Sequence, residues 1–257
     1  MNSGILLVEQ LDEATTLLTL NRPERRNALT IDLMEAICGA FNALAAQTDQ
    51  RVLILCGVGP AFCSGLDLHE AAQLDLAEHS ANAVARLFET ITHSPLVTIA
   101  AAHGAAYAGG AGLLASCDFA VAAQDLKVAF PEVRRGLLPA LVAALLKDRV
   151  REGDARELFL TAEPITADRA YAIGLVHRVV PADKVIDEAR SLALTILKGA
   201  PEAVRQTKRL LRELCSTELS QLLAQALKSH RRARAGDEAA EGLAAFLEHR
   251  EPDWTAS

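Results

Sequence analysis

No stretch of the 257-residue chain stays apolar for the roughly 18 to 20 positions that a bilayer span requires, and residues 1–10 lack a basic segment followed by a long apolar one. Neither membrane insertion nor export is therefore expected, and the reading is a cytoplasmic protein. The five cysteines, Cys38, Cys56, Cys63, Cys117 and Cys215, form no Cys-x-x-Cys pair and are odd in number, which argues against a zinc site and a disulfide framework alike. No cluster of histidines and carboxylates has metal-ligand spacing, and no Gly-x-Ser-x-Gly or Ser-His-Asp arrangement is present. Charge is not gathered in a tail. The net charge of −7 is spread over a chain that is 23% charged, so nucleic acid is not an expected partner.

Apolar material is plentiful, at 51% of residues, enough for a substantial core. Ile5 to Gln10 and Thr15 to Leu20 read as a hairpin around Asp12-Glu13, closed by Asn21-Arg22-Pro23. Thr30 precedes Leu33, Ile37, Phe41 and Leu44, whose spacing places them on one helical face with Thr30 as its cap. Val52 to Leu55 and Leu96 to Ala100 are continuous apolar runs of strand length, the pattern of parallel strands covered on both faces. The order of elements points to an α/β fold with parallel pairing. From Pro201 the character changes, and Ala203 to Leu214, Leu219 to Ala235 and Glu238 to Arg250 read as helices. The expected division is a core over residues 1–200 and a helical region over residues 201–257.

Two loops place small residues directly after buried strands. The first runs from Gly57 to Leu68 and includes Cys63-Ser64-Gly65-Leu66-Asp67-Leu68, where small residues let backbone N–H groups approach a ligand. The second runs from His103 to Asp118, and its Gly109-Gly110 pair opens a helix whose free N–H groups and positive dipole end would stabilise an anion or a developing negative charge. Gly110-Ala111-Gly112-Leu113-Leu114-Ala115 also satisfies a dinucleotide-binding pattern, with Glu132 at a suitable distance. That reading is set aside. About six residues separate the end of the apolar strand from the glycines, whereas the nucleotide turn needs strand, turn and helix in tight succession.

Further segments accompany these loops in order: Leu20-Asn21-Arg22-Pro23-Glu24-Arg25-Arg26-Asn27-Ala28-Leu29, Pro131-Glu132-Val133, Gly136-Leu137-Leu138-Pro139, Ala170-Tyr171-Ala172-Ile173-Gly174-Leu175-Val176, and Glu241 to Glu248. Jointly they resemble the enoyl-CoA hydratase/isomerase (crotonase-like) family over nearly the whole chain. The resemblance implies an α/β spiral of ββα units followed by a C-terminal helical trimerisation region, a homotrimer or dimer of trimers, an acyl-CoA thioester as substrate, and no separate cofactor. It places the oxyanion hole on the N–H groups of Leu66 and Gly109 and the acid/base on Glu132. It also puts Ser64, Asp67, Leu68 and Gly110 beside the substrate, Arg22, Arg25 and Arg26 at the CoA phosphates, and Phe246, from a neighbouring subunit's last helix, against CoA.

One position departs from the family pattern. Two-glutamate hydratases carry a glutamate where this chain has Gly112. A double-bond shift needs one base, so that departure favours a Δ3,Δ2-enoyl-CoA isomerase, but glycine here also occurs in hydratase branches that Glu132-Val133-Arg134-Arg135-Gly136-Leu137-Leu138-Pro139-Ala140 resembles. The expectation is a single-glutamate enoyl-CoA hydratase. Isomerase activity, and acyl-CoA binding without turnover, stand as its alternatives.

Overall fold

The computed structural model describes residues 4–71, 73–215 and 219–253. The hairpin forms as β1 (Leu6–Gln10) and β2 (Thr15–Leu20), antiparallel in register Leu6 with Leu20. Helix α1 (Ile31–Ala45) follows, and the Thr30 hydroxyl accepts the Leu33 N–H at 3.3 Å as its cap. Strand β3 (Val52–Gly57), helices α2 (Leu68–Ala71) and α3 (Leu74–His93), and strand β4 (Val97–Ala102) come next. A short β5 (Ala105–Tyr107) leads into α4 (Gly109–Ser116), then β6 (Phe119–Ala123) and β7 (Lys127–Ala129). After a 3-10 turn over Pro131–Arg135 come α5 (Ala140–Leu146), α6 (Glu152–Thr161), β8 (Ile165–Thr166), α7 (Ala167–Ala172) and β9 (Arg178–Val180). Four helices end the chain: α8 (Val185–Leu197), α9 (Pro201–Cys215), α10 (Leu219–Arg234) and α11 (Asp237–Leu247).

Six strands form one sheet in the order β1-β2-β3-β4-β6-β9, parallel from β2 onward. Three short strands, β5-β7-β8, make a second sheet. Successive passes of the chain place β4 in the first sheet and β5 in the second, then β6 in the first and β7 in the second, which is the spiral the resemblance implies. The apolar runs are continuous because both faces of the large sheet are covered. Leu53, Leu55 and Ala100 belong to the core under α1 and α3, while Val52, Ile54, Val97 and Ile99 pack with Ala189, Leu192 and Ala193 of α8. Among the described residues no helix is long and apolar enough to cross a membrane.

The C-terminal helices return to the core of their own chain. α10 packs on α5 and α3, α11 on the Pro131–Arg135 turn, and Lys208 of α9 reaches Asp118 at 2.7 Å. That lysine explains Asp118, whose carboxylate also accepts the Thr98 N–H and hydroxyl. Gly39 is an exposed glycine in mid-helix with open space where a Cβ would stand. Gly39→Ala is therefore expected to stabilise the fold by about 0.5–1 kcal/mol, read as a higher thermal midpoint. An unchanged or lower midpoint would mean that the α1 surface is occupied in solution.

Candidate active site

The two glycine-bearing loops meet because the chain zips them together. Cys63 N–H donates to Ala105 O at 3.0 Å and Tyr107 N–H to Cys63 O at 3.0 Å, which lays the first loop along β5. On its other side Leu29 N–H donates to Gly65 O at 2.8 Å and Asp67 N–H to Leu29 O at 3.0 Å. This ladder uses the Gly65 carbonyl and the Asp67 N–H and leaves the Leu66 N–H without a hydrogen bond among the described residues. The Gly109 N–H, first in α4, is likewise undonated. The two amides are neighbours: a Cβ placed on Gly109 would lie 3.7 Å from the Leu66 nitrogen. Ala108, just before α4, holds φ +48° and ψ −119°, a conformation rare for a side-chain-bearing residue and one that costs on the order of 1–3 kcal/mol. Its own N–H is held by Ala129 O at 2.9 Å, so the strained corner is fixed by β7.

A cavity of about 90 Å³ opens on these amides. It is lined by Ser64, Leu66, Leu68, Ala108 and Gly109 from the two loops, by Glu132 and Arg135 from the 3-10 turn, by Leu137 to Val142 leading into α5, and by His230 with Arg234 from α10. Glu132 is half-buried as a residue, but its Oε2 is fully buried and without a hydrogen-bond partner. Burial pushes the Glu132 carboxyl up to about 7, overriding the hydrogen bond from its own backbone and the attraction of Arg135. Such a group is near half-protonation at neutral pH and can give or take a proton there.

The structure distributes the remaining candidates unevenly. Ser64 and Leu68 line the cavity with Leu66, Gly109 and Glu132. Arg25 and Arg26 lie exposed on the loop whose carbonyls accept from Ser64. Arg22 departs from the expected phosphate binder: its guanidinium is held by Ala28 O and by Asp67 at 3.1 Å, with both side chains largely buried. Asp67, expected beside the substrate, is the other half of that brace and also accepts the His69 N–H. Gly110 also differs from expectation. It is buried, and a Cβ there would collide with the Cys63 backbone, so this glycine permits close packing of the loops and does not line the cavity. Phe246, expected to reach the CoA of a neighbouring subunit, is exposed on α11 and carries the Arg135 guanidinium 4.9 Å from its ring centroid.

Three ionisable cavity residues escaped the sequence reading: Arg135, His230 and Arg234. The available signal was spacing. Leu223, Leu227, His230 and Arg234 fall four, three and four residues apart, one continuous helical face, and Leu223 is buried in the core. Glu70, by contrast, is accounted for by capping α1 through Ile31 N–H at 2.9 Å, and His103 by the Gly59 carbonyl at 2.8 Å. The dinucleotide-like glycines Gly110 and Gly112 are buried inside α4 and do not form the turn between a strand and that helix, as a nucleotide site would need.

Gly112 faces Phe88. A Cβ at 112 would stand 3.0 Å from two ring carbons and nearer still to the ring's tip. The aromatic ring, wholly buried, fills the space a side chain at 112 would enter. Gly112→Glu is therefore expected to overpack this junction, at about 1–3 kcal/mol, and to lower the thermal midpoint without speeding turnover. An unchanged midpoint with raised kcat would show that Phe88 yields and that position 112 opens to the cavity.

With this geometry established, comparisons with known proteins converge on one description. Residues 10–257 match the model of the enoyl-CoA hydratase/isomerase family. A 2,3-dehydroadipyl-CoA hydratase of Escherichia coli is 32% identical over 250 residues, covering 96% of this chain and 98% of its own. A mevalonyl-coenzyme A hydratase of Aspergillus fumigatus is 34% identical, covering 94% and 91%. The crystal structure of an enoyl-CoA hydratase from Mycobacterium avium superposes with a TM-score of 0.87 at 30% identity, covering 98% of this chain and 99% of that one.

Proposed function

We propose, from the premise that the chain belongs to the enoyl-CoA hydratase/isomerase family, that it is an enoyl-CoA hydratase adding water to a 2-enoyl-CoA thioester with Glu132 as its single acid/base. Family membership makes the chain an enzyme of the hydratase/isomerase kind. The observation that carries the finer reading is that Glu132, with its unpartnered buried oxygen, lines the same cavity as two undonated amides.

The thioester carbonyl accepts from Leu66 N–H and Gly109 N–H. As water attacks the β-carbon, charge moves through the conjugated system onto that carbonyl oxygen, and preorganised donors beside the α4 N-terminus stabilise the transition state more than the ground state. Protonated Glu132 delivers its proton to the α-carbon, and the proton released by the attacking water restores it. No second carboxylate assists, since Phe88 occupies the space next to Gly112. That absence is what favours the second reading, an isomerase in which ionised Glu132 removes a proton and returns it two carbons away.

The two readings predict opposite pH limbs. Hydration initiated by the protonated form gives kcat/KM that is level in acid and falls as pH rises through about 7. Isomerisation initiated by the carboxylate gives a rate that rises through the same region. A profile for 2-enoyl-CoA hydration that rose with pH would contradict Glu132 as the initiating proton donor. In this reading the chain works as a trimer or pair of trimers, and its mass by light scattering is three or six times that of one chain. Exposed Leu210, Leu211 and Leu214 of α9 offer an apolar surface for that assembly. The relatives' names differ in acyl group, so membership of the family leaves the acyl chain open.

A further inference from the structure

The cavity that holds Glu132 contains more positive than negative charge. Arg135, His230 and Arg234 line it, and among the described residues Glu132 is its one carboxylate. Arginines such as Arg250, which pairs with Glu241 and Glu248, and Arg169, which pairs with Asp154 and Glu157, show how this chain neutralises a guanidinium where it does so. Arg234 is half-buried and makes no ion pair or hydrogen bond among the described residues. His230 is 8% exposed, and its Nε2 is buried without a partner. Its ring is oriented by a hydrogen bond with the Leu138 backbone. The strongest charge effect on His230 comes from Arg234, a cation that disfavours protonation of the ring. Polar groups withdrawn from water cost free energy unless something completes their hydrogen bonds, and a guanidinium with nothing to donate to is a poor component of an apolar pocket.

What completes them enters with the substrate. On the hydratase reading, the thioester carbonyl sits at Leu66 and Gly109, and CoA leaves past Ser64, whose backbone adjoins exposed Arg25 and Arg26. His230 and Arg234 of α10 line the same cavity as Leu66, Gly109 and Glu132, whereas Arg25 and Arg26 are not among its lining residues. On that placement the α10 cations meet the acyl chain and not the CoA phosphates. At about 90 Å³ the cavity is also small beside the roughly 300–1,000 Å³ of common ligand sites, which suits a short chain and not a fatty one. We propose that the acyl group this enzyme takes is short and ends in a carboxylate, held by the Arg234 guanidinium and by His230 Nε2, so that α10 determines substrate choice. A planar guanidinium fits a carboxylate in bidentate fashion, and a bound carboxylate favours the protonated, donating form of His230 over the neutral form that burial favours.

This proposal rests on the hydratase reading for its orientation, and saturated thioesters separate the two. Glutaryl-CoA, valeryl-CoA and free CoA are titrated calorimetrically into the wild-type protein, Arg234→Gln and Arg234→Lys. Glutaconyl-CoA and 2-pentenoyl-CoA are then offered for turnover. The expected result is glutaryl-CoA binding on the order of 10- to 100-fold tighter than valeryl-CoA. Arg234→Gln should abolish most of that ratio and Arg234→Lys a part of it, with the same ordering in kcat/KM for the two enoyl substrates. Equal wild-type affinities for glutaryl- and valeryl-CoA overturn the proposal whatever the variants do. So does a loss in Arg234→Gln that is shared by free CoA, which would assign the guanidinium to a CoA phosphate. A glutaryl-CoA preference without turnover of either enoyl substrate upholds the carboxylate site and sinks the hydratase reading. Turnover of both at equal efficiency does the reverse.

Discussion

Glu132→Gln is expected to lower kcat for hydration by about 10²- to 10⁴-fold, the usual contribution of a positioned acid/base, while making the protein more stable above neutral pH. The two effects share one cause. The Glu132 carboxyl titrates at about 7 in the folded chain against 4.5 for the unperturbed group, because burial disfavours its charge. A carboxyl raised in the folded state binds its proton more tightly there than in the unfolded chain. Below pH 4.5 both states are protonated and folding bears no ionisation penalty; between 4.5 and about 7 stability is progressively lost; above about 7 the loss is complete. The shift corresponds to at most roughly 3 kcal/mol. Glutamine never ionises, so the variant escapes that loss. Thermal melts of both proteins should nearly coincide at pH 4.5 and separate at pH 8 with Glu132→Gln the more stable. Equal midpoints at pH 8 would show that the Glu132 site is wet, and retained turnover would remove Glu132 from the chemistry.

Gly65→Ala should cost about 10²- to 10³-fold in kcat with a smaller change in KM, as removal of one oxyanion donor typically does. Gly65 holds φ +93°, a conformation L residues rarely adopt, and its missing side chain is where the two loops touch. A Cβ there would stand 2.8 Å from Tyr107 O, 3.0 Å from Ala108 Cβ and 3.2 Å from the Gly109 nitrogen. All three belong to the segment that presents the second amide, so the methyl group pushes Gly109 away from Leu66. The donors remain present but diverge, and a carbonyl oxygen no longer meets both. The effect should concentrate in kcat because charge on that oxygen is greatest in the transition state. A variant that folded with wild-type kcat would mean that these amides do not form the oxyanion hole.

The parts of this arrangement that the sequence discloses are those whose pattern is local. Thr30 and the spacing from Leu33 to Leu44 declare α1, and the apolar runs at Val52 and Val97 declare two central strands. The two- and three-residue strands β5, β7 and β8 carry too few residues for a period, and they exist because partners are brought alongside. Arg22 and Asp67 are 45 residues apart, and their mutual brace is a tertiary fact that leaves each looking free in the sequence. The same holds for Gly110, whose role is fixed by the Cys63 backbone, and for Gly112, whose neighbour is Phe88. His230 and Arg234 lie in a helix rich in polar residues, where a charged side chain is ordinarily solvated. It is the packing of α10 on α5 and α3 that turns this face inward.

The two C-terminal contributions to the cavity also change what the family pattern means for this chain. In the proposed hydratase, Glu132 and the paired amides define where the thioester reacts, and α10 defines what can lie beyond it. The strained Ala108 corner, the left-handed Gly65 and the crowded Gly112 all sit within a few residues of the amide pair. Backbone precision there is maintained by close packing, with Gly65 and Gly110 tolerating almost no added atom.

The measurement that bears most directly on the central claim is absorbance at the conjugated-thioester band with trans-2-enoyl-CoA and 3-enoyl-CoA offered in parallel, and Glu132→Gln as control. The account predicts that the band is lost from the 2-enoyl substrate with wild-type protein and persists with Glu132→Gln. Appearance of the band from the 3-enoyl substrate, with the 2-enoyl substrate unconsumed, would contradict hydration and establish the isomerase in its place.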